Sequence, residues 1–139
     1  MSEVKNFDAC ITGGGLAGLA LSIQLAKLGY SVALFEKEQY PFHKVCGEYI
    51  SLESWNFIEE LGFPLSGSQL PMIKKLIVTA PNGNELKQEL PLGGFGISRY
   101  KLDAGLKDIA IANKVAVFEN CKVNDIHFAD DEFKLSTSN

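Results

Sequence analysis

Three glycines stand at positions 13, 15 and 18, between an apolar run and a second run with helical spacing. Gly13 would let the chain turn tightly out of a strand, and Gly15 would let the backbone approach a pyrophosphate closely. Gly18 would allow a helix to pack against that strand. The first N–H groups of this helix, at Leu16 and Ala17, would point the positive end of the helix dipole at the phosphates. The spacing therefore predicts a dinucleotide-binding turn.

A carboxylate follows at the expected distance, because Glu36 stands 23 residues after Gly13. Such a carboxylate accepts hydrogen bonds from both ribose hydroxyls and repels a 2′-phosphate. FAD or NAD is thereby favoured over NADP, and the choice between these two stays open at this point. Lys37, the next residue, belongs to the same set of expected cofactor-binding residues. The alternative is a glycine-rich turn with an unrelated glutamate downstream. It does not explain why a strand, the glycines, a helix, a second strand and the acid follow one another at the expected spacing.

The spacing of apolar residues predicts the strands and the helix that position these residues. Residues 7–12 form a short apolar strand, a helix begins near Leu16 and ends at Gly29, and residues 31–35 form a second strand. A strand, crossover helix and strand give two parallel neighbours with a right-handed connection. The fold class predicted is α/β, a Rossmann-like FAD/NAD(P)-binding fold with a parallel sheet and inserted β-hairpins.

The rest of the chain adds one long loop, two helices and two hairpins to this unit. The Asn-Gly turn in PNGN, between alternating apolar and polar runs, is a strong hairpin signal. The predicted segments are an ordered loop at 37–51, a helix from Ser51 to about Leu61, a hairpin at 73–92, a helix at 100–113, a buried strand at 115–120 and a hairpin around ADD at 129–131.

Composition excludes several classes of function. The chain has 139 residues and a net charge of −4 with no basic stripe, so nucleic acid is not an expected partner. Neither a signal core nor a membrane-span pattern is seen, which predicts a cytoplasmic protein. The cysteines and histidines have no ligand spacing, so no metal site or disulfide framework is expected, and Cys10 is expected to pack inside the first strand.

Longer stretches carry a family resemblance. GGGLAGLALSIQLAKLGYSVALFEK, YPFHKVCGEYIS and GISRYKLDAGLKDIA together resemble the FAD-dependent geranylgeranyl reductase-like oxidoreductases, over about Phe7 to Val123. These belong to a superfamily that includes para-hydroxybenzoate hydroxylase-type monooxygenases and flavin-dependent halogenases. The stretch KVCGE is more characteristic of the reductase-like branch. The resemblance implies FAD rather than NAD.

The resemblance also implies roles for individual residues. The loop that matches Lys44 to Glu48 passes near the isoalloxazine, which places Cys46 and Gly47 beside the reactive ring, with Cys46 as the candidate catalytic residue. Arg99 contacts FAD from the other side, and the segment around Val123 offers backbone groups to the adenine.

Plainer interpretations of these residues stay open. Arg99 is also placed to pair with Asp103, four residues on, as a surface charge. Cys46 is also consistent with a small, inert packing residue. Trp55 is expected in a core or an interface rather than as a stacking platform.

The resulting hypothesis is the FAD-binding portion of a flavin-dependent oxidoreductase that reduces C=C bonds of a prenyl or lipid-like substrate by hydride transfer. The alternatives are an aromatic-ring monooxygenase or halogenase, a non-catalytic nucleotide-binding fragment, and an NAD-dependent dehydrogenase. A lipid substrate would place the protein at the membrane periphery.

The second FAD motif and the substrate domain of this family are not recognised within residues 1–139. The whole chain is therefore interpreted as one incomplete FAD-binding domain. Weak FAD retention, no efficient turnover and self-association through exposed apolar surface are expected.

Overall fold

The computed structural model describes residues 5–138. They form two compact units: the first contains the residues up to His43 and from Tyr100 onward, and the second is Lys44–Arg99. The elements are β1 (Ala9–Thr12), α1 (Leu16–Lys27), β2 (Val32–Phe35), β3 (Tyr49–Ser51), a 3-10 turn (Leu52–Ser54), α2 (Trp55–Leu61), β4 (Met72–Thr79), β5 (Glu85–Gly96), α3 (Arg99–Ala112), β6 (Ala116–Phe118), β7 (Val123–Ala129) and β8 (Glu132–Thr137).

The first unit is built on a parallel sheet of order β1-β2-β6. Ala9 pairs with Val32 and Thr12 with Phe35, while Ala33 pairs with Ala116. Parallel neighbours need a crossover connection, and α1 supplies it between β1 and β2. The predicted α/β arrangement with a parallel sheet is confirmed.

Local sequence explains the limits and the buried face of α1. Leu19 and Ile23, one helical turn apart, are both fully buried. Beyond the last helical residue, Gly29 adopts φ +91°, the left-handed conformation that ends many helices. The central strand β2 is buried at Val32–Leu34 because it has a strand on each side. The helix therefore packs one apolar face inward and stops where the glycine allows.

The second unit is an antiparallel sheet of order β3-β5-β4 with α2. The PNGN hairpin is confirmed: the N–H of Ala80 donates to Asn84 O at 2.8 Å, and Gly83 has φ +86°. Strand β5 continues through the GGFG stretch, where a Cβ on Gly94 would lie 2.5 Å from Ile50 O. Only glycine permits this close pairing with β3.

Several sequence-based expectations need correction. Cys10 is exposed rather than packed, because its side chain lies on the same face of β1 as Thr12, and this face is exposed. Strand β6 is half-buried rather than buried. Ser51 precedes a 3-10 turn instead of an α-helix, and its side chain makes no capping bond.

Two smaller outcomes concern Trp55 and the membrane. The indole is half-buried and packs edge-to-face on the buried Phe95, with ring centroids 5.0 Å apart, which agrees with a packing role rather than a stacking platform. Within the described part of the chain, every helix is too short or too polar to span a bilayer.

Candidate functional site

The glycine turn joins β1 to α1 at the end of the parallel sheet. Gly13 has φ +99°, and its N–H donates to Phe35 O at 2.8 Å, so the turn leaves β1 beside the end of β2. A Cβ on Gly18 would overlap the carbonyl oxygen of Gly13, which leaves room for glycine alone. The tight turn and the close packing predicted for these two glycines are therefore both present.

The start of α1 presents a row of unused donors. Gly15 is the N-cap residue and has no side chain to cap the helix, and its carbonyl accepts the N–H of Leu19 at 2.9 Å. Among residues 5–138, no group accepts a hydrogen bond from the N–H of the four residues Gly15 to Gly18. Orphan donors at the positive end of a helix are the groups that bind phosphates elsewhere in proteins.

Glu36 lies beside this turn and is only 6% exposed. Its Oε2 accepts the N–H of Gly14 at 2.9 Å, and its Oε1 accepts the N–H of Glu38 at 3.1 Å. Its own N–H donates to Phe118 O at 2.9 Å, which fixes the residue at the end of β2. A carboxylate offers about four acceptor positions, so two remain for a ligand. The spacing predicted its place, and the bond to Gly14 was not foreseen.

Lys37 and Val123 complete the candidates of the first unit. Lys37 is exposed, with its Nζ 3.9 Å from Glu38 Oε1. Val123 begins β7, and two residues earlier the N–H of Cys121 donates to Glu36 O at 2.9 Å. The segment that leads into Val123 therefore runs beside Glu36. Cofactor contacts of both residues stay predictions.

Tyr40 contacts the glycine turn and Glu119 contacts Tyr40, although neither was among the predicted site residues. Tyr40 is 8% exposed, and its hydroxyl donates a short hydrogen bond to the carbonyl of Gly14. Its N–H donates to Glu119 Oε1 at 2.7 Å. The only sequence signal was an aromatic residue before a proline, shortly after the acid. Such a signal does not identify a contact with residue 14.

The other candidates, Lys44, Cys46, Gly47 and Arg99, lie in the second unit. Cys46 is exposed, and its Sγ accepts the N–H of Glu48 at 3.4 Å, so the packing interpretation of this thiol is not supported. Glu48 has φ +57°, and its carbonyl accepts the N–H of Ile97 at 3.0 Å, which anchors the loop to its own sheet. Nothing lies within 4 Å of a Cβ built on Gly47. Arg99 is the first residue of α3.

Residues 5–138 hold no cluster of three metal-ligating side chains.

His43 stacks on Tyr100, with ring centroids 4.7 Å apart. Partial burial raises the pKa of the Cys10 thiol above its ordinary value.

A family model described as an NAD(P)-binding Rossmann-like domain matches residues 11–47. The match covers the second half of β1, the glycine turn, α1, β2, Glu36 and the loop up to Gly47. This part of the chain has a Rossmann-like fold.

Two curated proteins share short stretches with the chain. A 1H-pyrrole-2-carbonyl-[peptidyl-carrier protein] brominase of Pseudoalteromonas luteoviolacea (strain 2ta16) is 40% identical over 63 residues, which are 45% of this chain and 15% of the brominase. Conditioned medium factor receptor 1 of Dictyostelium discoideum is 34% identical over 56 residues, 40% of this chain and 11% of the receptor. Each match thus spans a small part of a longer protein.

Solved structures share the fold over most of the chain. The flavin-dependent brominase Bmp2 has a TM-score of 0.74 at 24% identity, over 93% of this chain and 33% of the brominase. The halogenase PltM has a TM-score of 0.75 at 22% identity, over 97% and 32%. A geranylgeranyl bacteriochlorophyll reductase-like protein from Thermoplasma acidophilum has a TM-score of 0.75 at 19% identity, over 94% and 34%. A PltM variant, 22% identical to this chain with a TM-score of 0.77, was solved in complex with FAD.

Proposed function

We propose that the chain is the FAD-binding part of a flavin-dependent oxidoreductase, and that its first unit holds the adenosine diphosphate portion of FAD. The observation that carries this proposal is the row of unused N–H groups from Gly15 to Gly18, next to the buried carboxylate of Glu36. A pyrophosphate supplies the acceptors that these donors lack. The ribose hydroxyls supply donors for the remaining acceptor positions of Glu36.

Charge at the ribose end favours a cofactor without a 2′-phosphate. Glu36 is buried and already accepts two N–H bonds, and a carboxylate at this position repels a 2′-phosphate. FAD is preferred over NAD because the compared structures include flavin-dependent enzymes and an FAD complex. When bound, FAD supplies the redox chemistry, while the protein binds and orients it.

Two chemistries remain for such a flavoprotein. Oxygen-dependent halogenation is the first candidate, because the brominase is 40% identical over its matched stretch and several of the compared structures are halogenases. Reduction of a C=C bond, which the stretch KVCGE favoured, is the second and is supported by the Thermoplasma acidophilum structure. In either case the flavin contacts that the family resemblance implies for Lys44, Cys46, Gly47 and Arg99 stay predictions.

The cofactor proposal is tested by calorimetric titration of the purified protein with FAD, ADP, NAD and FMN. We expect ADP to compete with FAD, FMN not to compete, and NAD to bind more weakly than FAD. Tighter binding of NAD than of FAD would contradict the proposal, as would the absence of ADP binding. The chain spans about a third of each solved structure compared.

The two chemistries are separated by stopped-flow reoxidation of the reduced, FAD-loaded full-length protein with O₂. Halogenation requires O₂, so a transient absorbance that precedes the oxidised spectrum supports the first candidate. A slow, direct return to the oxidised spectrum supports C=C reduction instead.

A further inference from the structure

We propose that Tyr40 is a positioning residue that aims the N–H of Gly15 at the pyrophosphate of the cofactor. The proposal rests on the proposed binding of FAD at the glycine turn. It adds a role for a side chain that lies outside the glycine motif and outside α1.

Two side chains hold the residue Gly14 from opposite sides of its backbone. The N–H of Gly14 donates to Glu36 Oε2 at 2.9 Å, and its carbonyl accepts the hydroxyl of Tyr40. A Cβ on Gly14 would overlap this hydroxyl and lie 3.0 Å from Glu36 Cβ. Position 14 is variable in the glycine motif, yet in this chain the two neighbouring side chains leave space for glycine alone.

The geometry of the peptide bond transmits this restraint to Gly15. In a trans peptide, the carbonyl of one residue and the N–H of the next lie in one plane and point in opposite directions. Tyr40 fixes the direction of the Gly14 carbonyl, and it therefore also fixes the direction of the Gly15 N–H. That N–H is the first of the unused donors, so its orientation is set before a ligand binds.

Tyr40 is itself held in place within the first unit. Its N–H donates to Glu119 Oε1 at 2.7 Å, and its ring centroid lies 5.4 Å from that of Phe42. With 8% of its surface exposed, the side chain has little freedom to move away from the turn. Glu119 therefore holds Tyr40, Tyr40 holds the carbonyl of Gly14, and the peptide plane fixes the N–H of Gly15.

The first test replaces only the hydroxyl, with Tyr40→Phe, and compares the binding of ADP and adenosine by calorimetry. We expect the affinity for ADP to fall about tenfold, because a poorly oriented Gly15 N–H would lose about one hydrogen bond to the pyrophosphate. Adenosine has no pyrophosphate, so its affinity should change less than about twofold. Tyr30→Phe is the matched control, because Tyr30 is 53% exposed and should leave both affinities unchanged. A structural role alone would lower the melting temperature without changing the ratio of the two affinities.

A second test uses the crowded position of Gly14. Gly14→Ala should lower the denaturation midpoint strongly in the unaltered background and less in the Tyr40→Phe background, since the overlapping hydroxyl is then absent. Equal losses in the two backgrounds would overturn the contact on which the proposal rests. If Tyr40→Phe does not fold, Glu119→Ala carries the ADP test, and Glu119→Gln, which keeps an acceptor, should bind ADP normally.

The outcomes distinguish this inference from the proposed function. If the unaltered protein binds ADP and Tyr40→Phe binds it equally well, the positioning role is wrong and the cofactor site stands. If the unaltered protein binds neither FAD nor ADP, the proposed function itself fails, and the inference fails with it.

Discussion

Asp8 and Ser31 join the starts of the two parallel strands β1 and β2 by three mutual hydrogen bonds. Asp8 Oδ2 accepts the N–H of Ser31 at 2.7 Å and its hydroxyl at 2.6 Å, and the N–H of Asp8 donates to Ser31 Oγ at 2.9 Å. The bonds to the charged carboxylate lower the pKa of Asp8 below its ordinary value of 3.8, with the Ser31 hydroxyl as the largest cause. The sheet that carries the glycine turn is thus fastened at its opposite end.

This fastening makes part of the stability dependent on pH. A carboxyl whose pKa is depressed by folding contributes stability above its unfolded pKa, and this contribution disappears as the pH falls through the folded pKa. We expect Asp8→Asn to lower the free energy of unfolding at pH 7, and the difference from the unaltered protein to narrow below pH 3.8. Urea unfolding at neutral and acidic pH measures this difference. A gap that is constant with pH would contradict the assignment.

Glu36→Gln tests whether the buried carboxylate holds the turn. The amide has one acceptor oxygen and would place its NH₂ against one of the two N–H donors, at Gly14 or Glu38. We expect a loss of about 1–3 kcal/mol in the free energy of unfolding, measured by urea titration. Glu38→Gln is the matched control, because that side chain is 52% exposed. Equal effects of the two changes would mean that burial of Glu36 has no energetic weight.

Gly18→Ala tests the close packing of α1 on the turn. Alanine in a helix interior gains up to about 1 kcal/mol over glycine from propensity alone. The new Cβ would overlap the Gly13 carbonyl, and such overpacking typically costs about 1–3 kcal/mol, so we expect net destabilisation and weaker ADP binding. Gly67→Ala serves as the control, since its Cβ would lie 4.0 Å from Pro64 O, an ordinary contact. A Gly18→Ala variant that is more stable than the unaltered protein would show that the Gly13 carbonyl can move away from the new Cβ at little energetic cost.

The three cysteines are expected to react with a thiol reagent at different rates. Cys46 and Cys10 are exposed, whereas Cys121 is buried. Because partial burial raises the pKa of Cys10, its thiolate fraction is lowered at neutral pH. We expect Cys46 to react first, Cys10 more slowly, and Cys121 only after unfolding. Mass spectrometry of a time course assigns each rate, and rapid labelling of Cys121 in the folded protein would contradict the buried position.

Local sequence was sufficient to predict the strand–helix–strand unit and the place of Glu36. Periodicity, the glycines and the acid all lie within residues 9–36, and a single crossover fixes their relative positions. The PNGN hairpin was predictable for the same reason, since its signal is contained in the turn itself.

Contacts between distant residues could not be predicted in this way. Tyr40 meets Gly14 across 26 positions and Glu119 across 79, and no local pattern encodes either pairing. The exposure of Cys10 depends on which face of β1 the rest of the protein covers, which the strand's own sequence does not encode. The GGFG stretch resembles a loop until its pairing with β3 is known.

The position of Trp55 has an optical consequence. It is the one tryptophan in the chain, and it packs on Phe95 in the second unit, Lys44–Arg99. Tryptophan emission therefore follows the unfolding of that unit, whereas far-ultraviolet circular dichroism follows the helices and strands of both. With its native chromophores alone, the protein allows the melting of the two units to be recorded separately.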